Sequence, residues 1–429
     1  MFRLLSNLLL PPVAFLAAPF WLLKTSKRGG LSPRLLEKLS RYNADSPEET
    51  GQQRPPIYVH AVSVGESNIA RKLITLWSTE YPEERFLLGI GTSTGFDLAS
   101  KSPPPCTEVM YAPLDFPLFI NEFFSRFRPA LIVLIEHEVW PNMIHAAKKN
   151  QVAVTLANAR LSQRSGQRLK KLRPLLGSMY EGLAWTGAQT DEDKPRLAAI
   201  GIREPTLHVV GSIKFDPTLE TPSASDFDPS PLLEALGDGP ILMALSTHSG
   251  EDLIFAKAAA QVPQARIVII PRHMERRHEI VKELTAANFE VTLRSTGETF
   301  RSETSTTKVL VVDSTGEMPA FTTQAQVAFI GKTLTAKGGQ NPCEAIAAGV
   351  AVVAGPAMGN FEPLTTQLQT SGGIKIATNE QELTSELTAL AQHQSQRERQ
   401  SKQALLALEA HSGATERTAT ALAKILTQE

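Results

Sequence analysis

In the first half of the 429-residue chain, ionisable side chains stand directly behind apolar runs in three places. His60-Ala61-Val62-Ser63-Val64-Gly65-Glu66 follows Ile57-Tyr58-Val59 and opens a helical pattern. A carboxylate at Glu66 can take a proton from an attacking hydroxyl. Equally, a Glu at a helix start can do no more than stabilise the positive end of its helix. Glu136-His137-Glu138-Val139-Trp140-Pro141-Asn142 follows Leu131-Ile132-Val133-Leu134-Ile135. Two carboxylates and an imidazole at the mouth of a buried strand can shift one another's pKa. They can also cap the helix that starts at Pro141. A His/Glu metal site there lacks a third ligand at a usable spacing. Gly211-Ser212-Ile213-Lys214-Phe215-Asp216 puts Lys214 where it can neutralise a phosphate or carboxylate, or serve as a surface lysine.

The second half repeats the arrangement with phosphate-suited groups. Ser246-Thr247-His248-Ser249-Gly250 and Pro271-Arg272-His273 both follow apolar runs. Their hydroxyls, helix-start amides and the Arg272 guanidinium fit a phosphodiester or pyrophosphate. Ser314-Thr315-Gly316-Glu317 is another such junction. Gly338-Gly339-Gln340-Asn341-Pro342-Cys343-Glu344 lies between two further apolar runs. The glycines allow φ > 0 and close backbone approach. Asn341 suits a helix N-cap and Pro342 the first helical position. The amides and the positive dipole end can then hold a phosphate, and Glu344 can accept hydrogen bonds from ribose hydroxyls. The same spelling also fits an ordinary βαβ connection.

Alternating strands and helices must position these groups. Strands are expected over 57–60, 86–90, 131–135, 152–156 and 207–211. Helical spacing predicts helices over 66–80 and 164–183, the second with a basic face. Residues 217–240, with Pro217, Pro222, Pro229, Pro231 and Pro240, read as a linker. A second series of strands follows over 241–245, 266–270, 290–293, 309–312, 327–330, 350–354 and 373–377, then a polar helical tail over 380–429. This pattern argues an α/β protein of two doubly wound, Rossmann-like domains. Such sheets bind ligands beyond the carboxyl ends of their strands, and a two-domain version puts the site in the cleft between them.

Composition bounds the rest. At 42% hydrophobic and 20% charged residues, the chain is that of a globular protein, and its length suits two domains. A net charge of −1 gives no whole-molecule attraction to nucleic acid. Two distant cysteines, Cys106 and Cys343, write neither a disulfide framework nor a cysteine-based metal site. Residues 4–23 are apolar and about long enough to span a bilayer, although Pro11, Pro12 and Pro19 weaken a straight helix. Lys24, Lys27 and Arg28 follow at once, which keeps the body of the protein on the cytoplasmic side. A cleaved signal peptide is the alternative.

Together these motifs resemble the 3-deoxy-D-manno-octulosonic acid (Kdo) transferases of lipopolysaccharide biosynthesis. The likeness runs from the N-terminus to about residue 370, and rests on HAVSVGE (60–66), EHEVWPN (136–142), NARLSQRS (158–165), GSIKFD (211–216), STH (246–248), PRHMER (271–276), TGE (315–317) and GGQNPCE (338–344). It implies a GT-B fold: residues 1–24 a membrane anchor, 25–216 an acceptor-binding domain, 217–240 a linker, and 241–429 a nucleotide-sugar-binding domain with the C-terminal helices. It implies Kdo transfer from CMP-Kdo to a lipid A precursor at the cytoplasmic face of the inner membrane, with no metal and no cofactor beyond the donor substrate. By position, Glu66 matches the catalytic base, and Glu136 and Lys214 match groups that stabilise the transition state. Pro271, Arg272, Thr315, Gly316, Glu317, Asn341, Pro342, Cys343 and Glu344 match CMP-contacting segments. The chain departs from the family pattern at His137, Ser249, Met274, Thr315, Lys332-Thr333, Gln340 and Cys343. Two alternatives are another GT-B transferase or nucleotide-sugar epimerase, and a non-catalytic membrane-tethered binding protein.

Overall fold

Strands that are apolar without interruption need cover on both faces, and parallel sheets provide it. The computed structural model describes residues 3, 7, 33–42, 54–137, 139–216, 227–297, 300 and 306–427. Within them the chain divides into two compact units, residues 1–216 with 413–429, and residues 217–412.

The first unit holds seven strands: β1 Ile57–Ala61, β2 Phe86–Ile90, β3 Thr107–Tyr111, β4 Leu131–Ile135, β5 Ala153–Ala159, β6 Trp185–Ala188 and β7 Leu207–Val209. They pair in parallel in the order β3-β2-β1-β4-β5-β6-β7. Alternate residues of β1 and β4 enter opposite cores, as the period of two requires. Tyr58, Ile132 and Leu134 pack on one face with Phe123 and Tyr180. Ile57, Val59, Val133 and Ile135 pack on the other with Leu73 and Trp77. Strands β3 and β6 were not anticipated from the sequence; β6, Trp-Thr-Gly-Ala, is only four residues long.

The second unit repeats the design: β8 Ile241–Thr247, β9 Arg266–Pro271, β10 Glu290–Leu293, β11 Lys308–Val311, β12 Val327–Ile330, β13 Ala351–Ala354 and β14 Lys375–Ile376. Their order is β10-β11-β9-β8-β12-β13-β14, again all parallel. In each sheet the chain leaves one central pair in opposite directions, β1/β4 and β8/β12. Ligands of doubly wound sheets bind beyond the carboxyl ends of such a pair.

Two expectations need correcting. The single helix expected over 164–183 is two, Gln163–Lys171 and Arg173–Tyr180, with a break at Leu172. Pro174, near the start of the second, has no N–H to continue the first. The tail is helical as expected, in three segments, Glu380–Gln392, Gln394–Glu409 and Ala414–Leu426. The last of these belongs to the first unit rather than to the 241–429 domain. Its Ala419, Leu422 and Ala423 join the core beside Leu73 and Trp77. Asp216 caps it by accepting the N–H groups of Gly413 at 3.0 Å and Thr415 at 2.8 Å.

The anchor expected over 1–24 lies outside the described residues apart from Arg3 and Asn7. Among the described residues no helix is long and apolar enough to cross a membrane. Of the expected linker, 217–226 lie outside the described residues and Ser230–Glu234 forms a short helix.

Candidate active site

In the first unit, the loop after β1 turns into the helix Val64–Glu80 through a reciprocal cap. Ser63 Oγ accepts the Glu66 N–H at 3.2 Å, and the Ser63 hydroxyl donates to Glu66 Oε1 at 2.7 Å. The Val62 N–H donates to Oε2 at 2.8 Å. Glu66 is therefore fixed at 7% exposure. A carboxylate offers about four acceptor positions, and two are used here, so a substrate hydroxyl can still be received.

Glu136, directly after β4, has φ +63°, a left-handed conformation that non-glycine residues rarely adopt. Its N–H donates to Ala157 O at 2.9 Å, where β5 is bulged between Leu156 and Ala159. The next residue of the bulge, Asn158, is buried at φ +56°. Its Oδ1 accepts the Ile213 N–H at 2.9 Å and the Ser212 hydroxyl at 3.4 Å. One irregular stretch of β5 thus holds both the Glu136 turn and the short Ile213–Phe215 turn that carries Lys214.

Burial raises the Glu136 pKa above the ordinary glutamate value. Arg160 opposes the rise most among the neighbouring charges, Glu66 adds to it, and His137 and Lys214 lower it. Those influences bring Glu66, Glu136 and Lys214 into one electrostatic neighbourhood, with Arg160 as a further member. Glu136 does not cap the helix Pro141–Lys149. Asp115 does, accepting the N–H groups of Asn142 at 3.0 Å and Met143 at 2.8 Å. Glu138 lies outside the described residues. His60 is a core side chain: the Tyr58 hydroxyl pairs with its Nδ1 at 2.9 Å, and burial drives its pKa to about 4.

In the second unit, the expected ligand segments all follow carboxyl ends of parallel strands. Pro271 closes β9, and the Arg272 N–H donates to Thr247 O at 3.1 Å while its side chain is exposed. Thr315 and Gly316 are exposed, with Gly316 at φ +87°. Glu317 is held by Arg294 in a two-pronged pair, at 3.0 and 3.1 Å, and by the Ser314 hydroxyl. The Gly338-Gly339 turn needs glycine for both conformation and space: φ is +112° and +76°, and a Cβ would come within 2.6 Å of Asn360 and 2.8 Å of Met358. The helix after it is only Cys343–Ala347. Asn341 does not cap it across a full turn but accepts the Cys343 N–H at 3.1 Å, and Pro342 precedes the first helical residue. Cys343 is buried, and Asn341 and Glu344 are half-buried.

Motif reading did not find the centre of this frame. Glu251, fully buried, accepts the N–H groups of His248 at 2.9 Å, Lys332 at 2.6 Å, Thr333 at 2.8 Å and Leu334 at 2.9 Å. It ties the β8 loop to the β12 loop. Next to it, Asp252 receives the Thr247 hydroxyl and Arg276, both at 2.5 Å. Among the described residues no three His, Cys, Asp or Glu side chains stand together as a metal-binding group.

Residues 33–217 match a family model described as 3-deoxy-D-manno-octulosonic-acid transferase (kdotransferase). A 3-deoxy-D-manno-octulosonic acid transferase of Bordetella pertussis is 32% identical over 415 residues, 94% of each chain. One of Haemophilus influenzae is 31% identical over 378 residues, 86% of each. Among solved structures, a UDP-GlcNAc 2-epimerase from Neisseria meningitidis bound to UDP-GlcNAc shares the fold, with a TM-score of 0.56 at 13% identity over 86% of this chain and all of that one.

Proposed function

We propose that this chain, which belongs to the 3-deoxy-D-manno-octulosonic-acid (Kdo) transferase family and is a glycosyltransferase, moves Kdo from CMP-Kdo to a hydroxyl of a lipid A precursor. The reading is of a GT-B enzyme in which the first unit serves the acceptor and the second the donor. Glu66 takes the proton of the acceptor hydroxyl as its oxygen attacks the anomeric carbon. The bond to the CMP phosphate breaks and the electron pair leaves with CMP. Glu136 offsets positive charge that develops on the sugar ring, and Lys214 offsets negative charge on the phosphate or the sugar carboxylate. In the second unit, Pro271, Arg272, the 315–317 turn and the 341–344 turn receive the nucleotide.

The carrying observation is that Glu66 follows β1 and Glu136 follows β4, while the bulged stretch of β5 holds both the Glu136 turn and the short turn that carries Lys214. Residues 1–24 would hold the enzyme at the cytoplasmic face of the inner membrane, on the strength of their composition. The exposed basic helix Gln163–Lys171, with Arg164, Arg168 and Lys171, would face the anionic lipid and the acceptor's phosphates.

Mass spectrometry of a lipid A precursor incubated with CMP-Kdo and the protein tests the reaction, and Glu66→Gln tests the base. The expected loss of turnover is about 10²–10⁴ with folding intact. Activity within a few-fold of the parent would sink the assignment.

A further inference from the structure

The switch point of the second sheet carries a cation that the reaction above leaves unused. Lys332 is the second residue after β12, in the loop that faces the end of β8. Its φ is +60°, a conformation that favours glycine. A lysine persists there only where its surroundings over-determine it, and they do. Its N–H donates to Glu251 Oε2 at 2.6 Å, and its carbonyl accepts the Gly339 N–H at 3.0 Å. Gly331, just before it, is pressed so closely on β8 that a Cβ would lie 2.3 Å from Ser246 O. The loop backbone around Lys332 is therefore fixed from both sides, and the origin of its side chain with it.

That side chain is half-buried, and among the described residues no carboxylate lies within ion-pair distance of its ammonium. The surroundings lean positive. Burial, then Lys332, lowers the pKa of His248, with His273 and Arg276 adding to the effect and Glu251 opposing it. Glu251, the nearby acid, has both oxygens occupied by backbone amides. A half-buried cation at a doubly wound sheet's ligand crevice is built to receive an anion from outside the chain.

We propose that Lys332 is a donor-binding residue whose ammonium takes an anionic oxygen of the nucleotide-sugar. That chemistry has two sources in CMP-Kdo, the phosphate ester and the sugar carboxylate. The inference rests on the CMP-Kdo reading given above.

Lys332→Gly is the informative variant, because glycine adopts φ +60° freely and the frame around it is backbone. Its thermal stability should equal or exceed the parent's, so that a change in binding is not a folding defect. If the phosphate is the partner, calorimetry should show CMP binding weakened about tenfold or more, with cytidine binding unchanged. If the carboxylate is the partner, CMP binding stays as in the parent and the KM for CMP-Kdo rises about tenfold or more. Lys332→Arg should restore most of either loss, because the charge returns. Unchanged CMP affinity together with an unchanged KM for CMP-Kdo overturns the proposal. A parent that binds no CMP but binds another nucleoside phosphate sinks the CMP-Kdo reading by itself. The glycine variant is then scored on that nucleotide: weakened binding supports Lys332 as an anion receiver, and unchanged binding overturns it.

Discussion

At the first sheet's switch point, Glu66 and Glu136 follow β1 and β4. At the second, the loops after β8 and β12 meet on Glu251. The connections match, but the acids do different work. Glu251 spends its oxygens on four backbone amides, and Glu317 is taken up by Arg294 and Ser314. Glu66 accepts two local hydrogen bonds. Glu136 is half-buried with a raised pKa, and Arg160, His137 and Lys214 lie near it. Acids used as braces leave a rigid crevice walled by amides and cations, which suits holding a phosphate. Acids spared from bracing keep lone pairs for protons, which suits chemistry.

The contrast can be broken most directly at Glu251. Glu251→Ala leaves four buried or half-buried amides without their acceptor, at about 1–3 kcal/mol for each one that stays unsatisfied. We expect at least about 3 kcal/mol of lost stability in urea unfolding, whereas Glu66→Gln, which keeps an acceptor oxygen, should lose no more than about 1 kcal/mol. Similar losses for the two variants would end the distinction between brace and base.

A second test asks whether the basic face of the first unit belongs to the acceptor. Replacing Arg164, Arg168 and Lys171 together by Gln should weaken binding to anionic vesicles by about 1 kcal/mol per charge. The KM for the lipid acceptor should rise while that for CMP-Kdo stays put. Equal acceptor kinetics at physiological salt would reduce this helix to a solvated surface.

Smaller effects sharpen the picture. Asp216→Ala removes the cap of the helix Ala414–Leu426 and should cost about 1–2 kcal/mol in the same unfolding assay. For Glu136 the sign runs through proton uptake. Its native pKa is raised, so between the ordinary and the raised value the folded state binds more protons than the unfolded one. Stability therefore falls as pH climbs through that window, and the deficit persists above it. Glu136→Gln lacks the slope, so its Tm advantage over the parent should be present near neutral pH and shrink on acidification. A difference that stays flat with pH would contradict the burial of this carboxylate.

The strands were legible where apolar runs are long. Leu131–Ile135 is buried at every position, and nothing but a covered parallel strand accommodates it. Thr107–Tyr111 and Trp185–Ala188 escaped notice because an edge position or a glycine dilutes the pattern. The placement of Glu66, Glu136 and Lys214 was legible because polar residues just behind buried strands must emerge at the carboxyl edge. Glu251 and Asp115 were not: each looks like an ordinary acid near a helix start. What makes Glu251 a brace is a set of partners about eighty residues further along the chain. Likewise an amphipathic helix states that it has an apolar face, and not which sheet it covers, so the return of Ala414–Leu426 to the first unit could not be read.

That return has a consequence for how the protein is made. Asp216 and Gly413 are hydrogen-bonded neighbours, so the chain leaves the first unit and comes back to it at one spot, with residues 217–412 as an insertion. A ribosome adding about 5–20 residues per second needs roughly 10–40 s to pass from one to the other. Throughout that interval the nascent first unit lacks Ala419, Leu422 and Ala423, which complete the core around Leu73 and Trp77, so the seam between Val64–Glu80 and the last helix stays open. The half of the protein synthesised first is thus the half completed last, and its hydrophobic seam waits for the second unit to emerge.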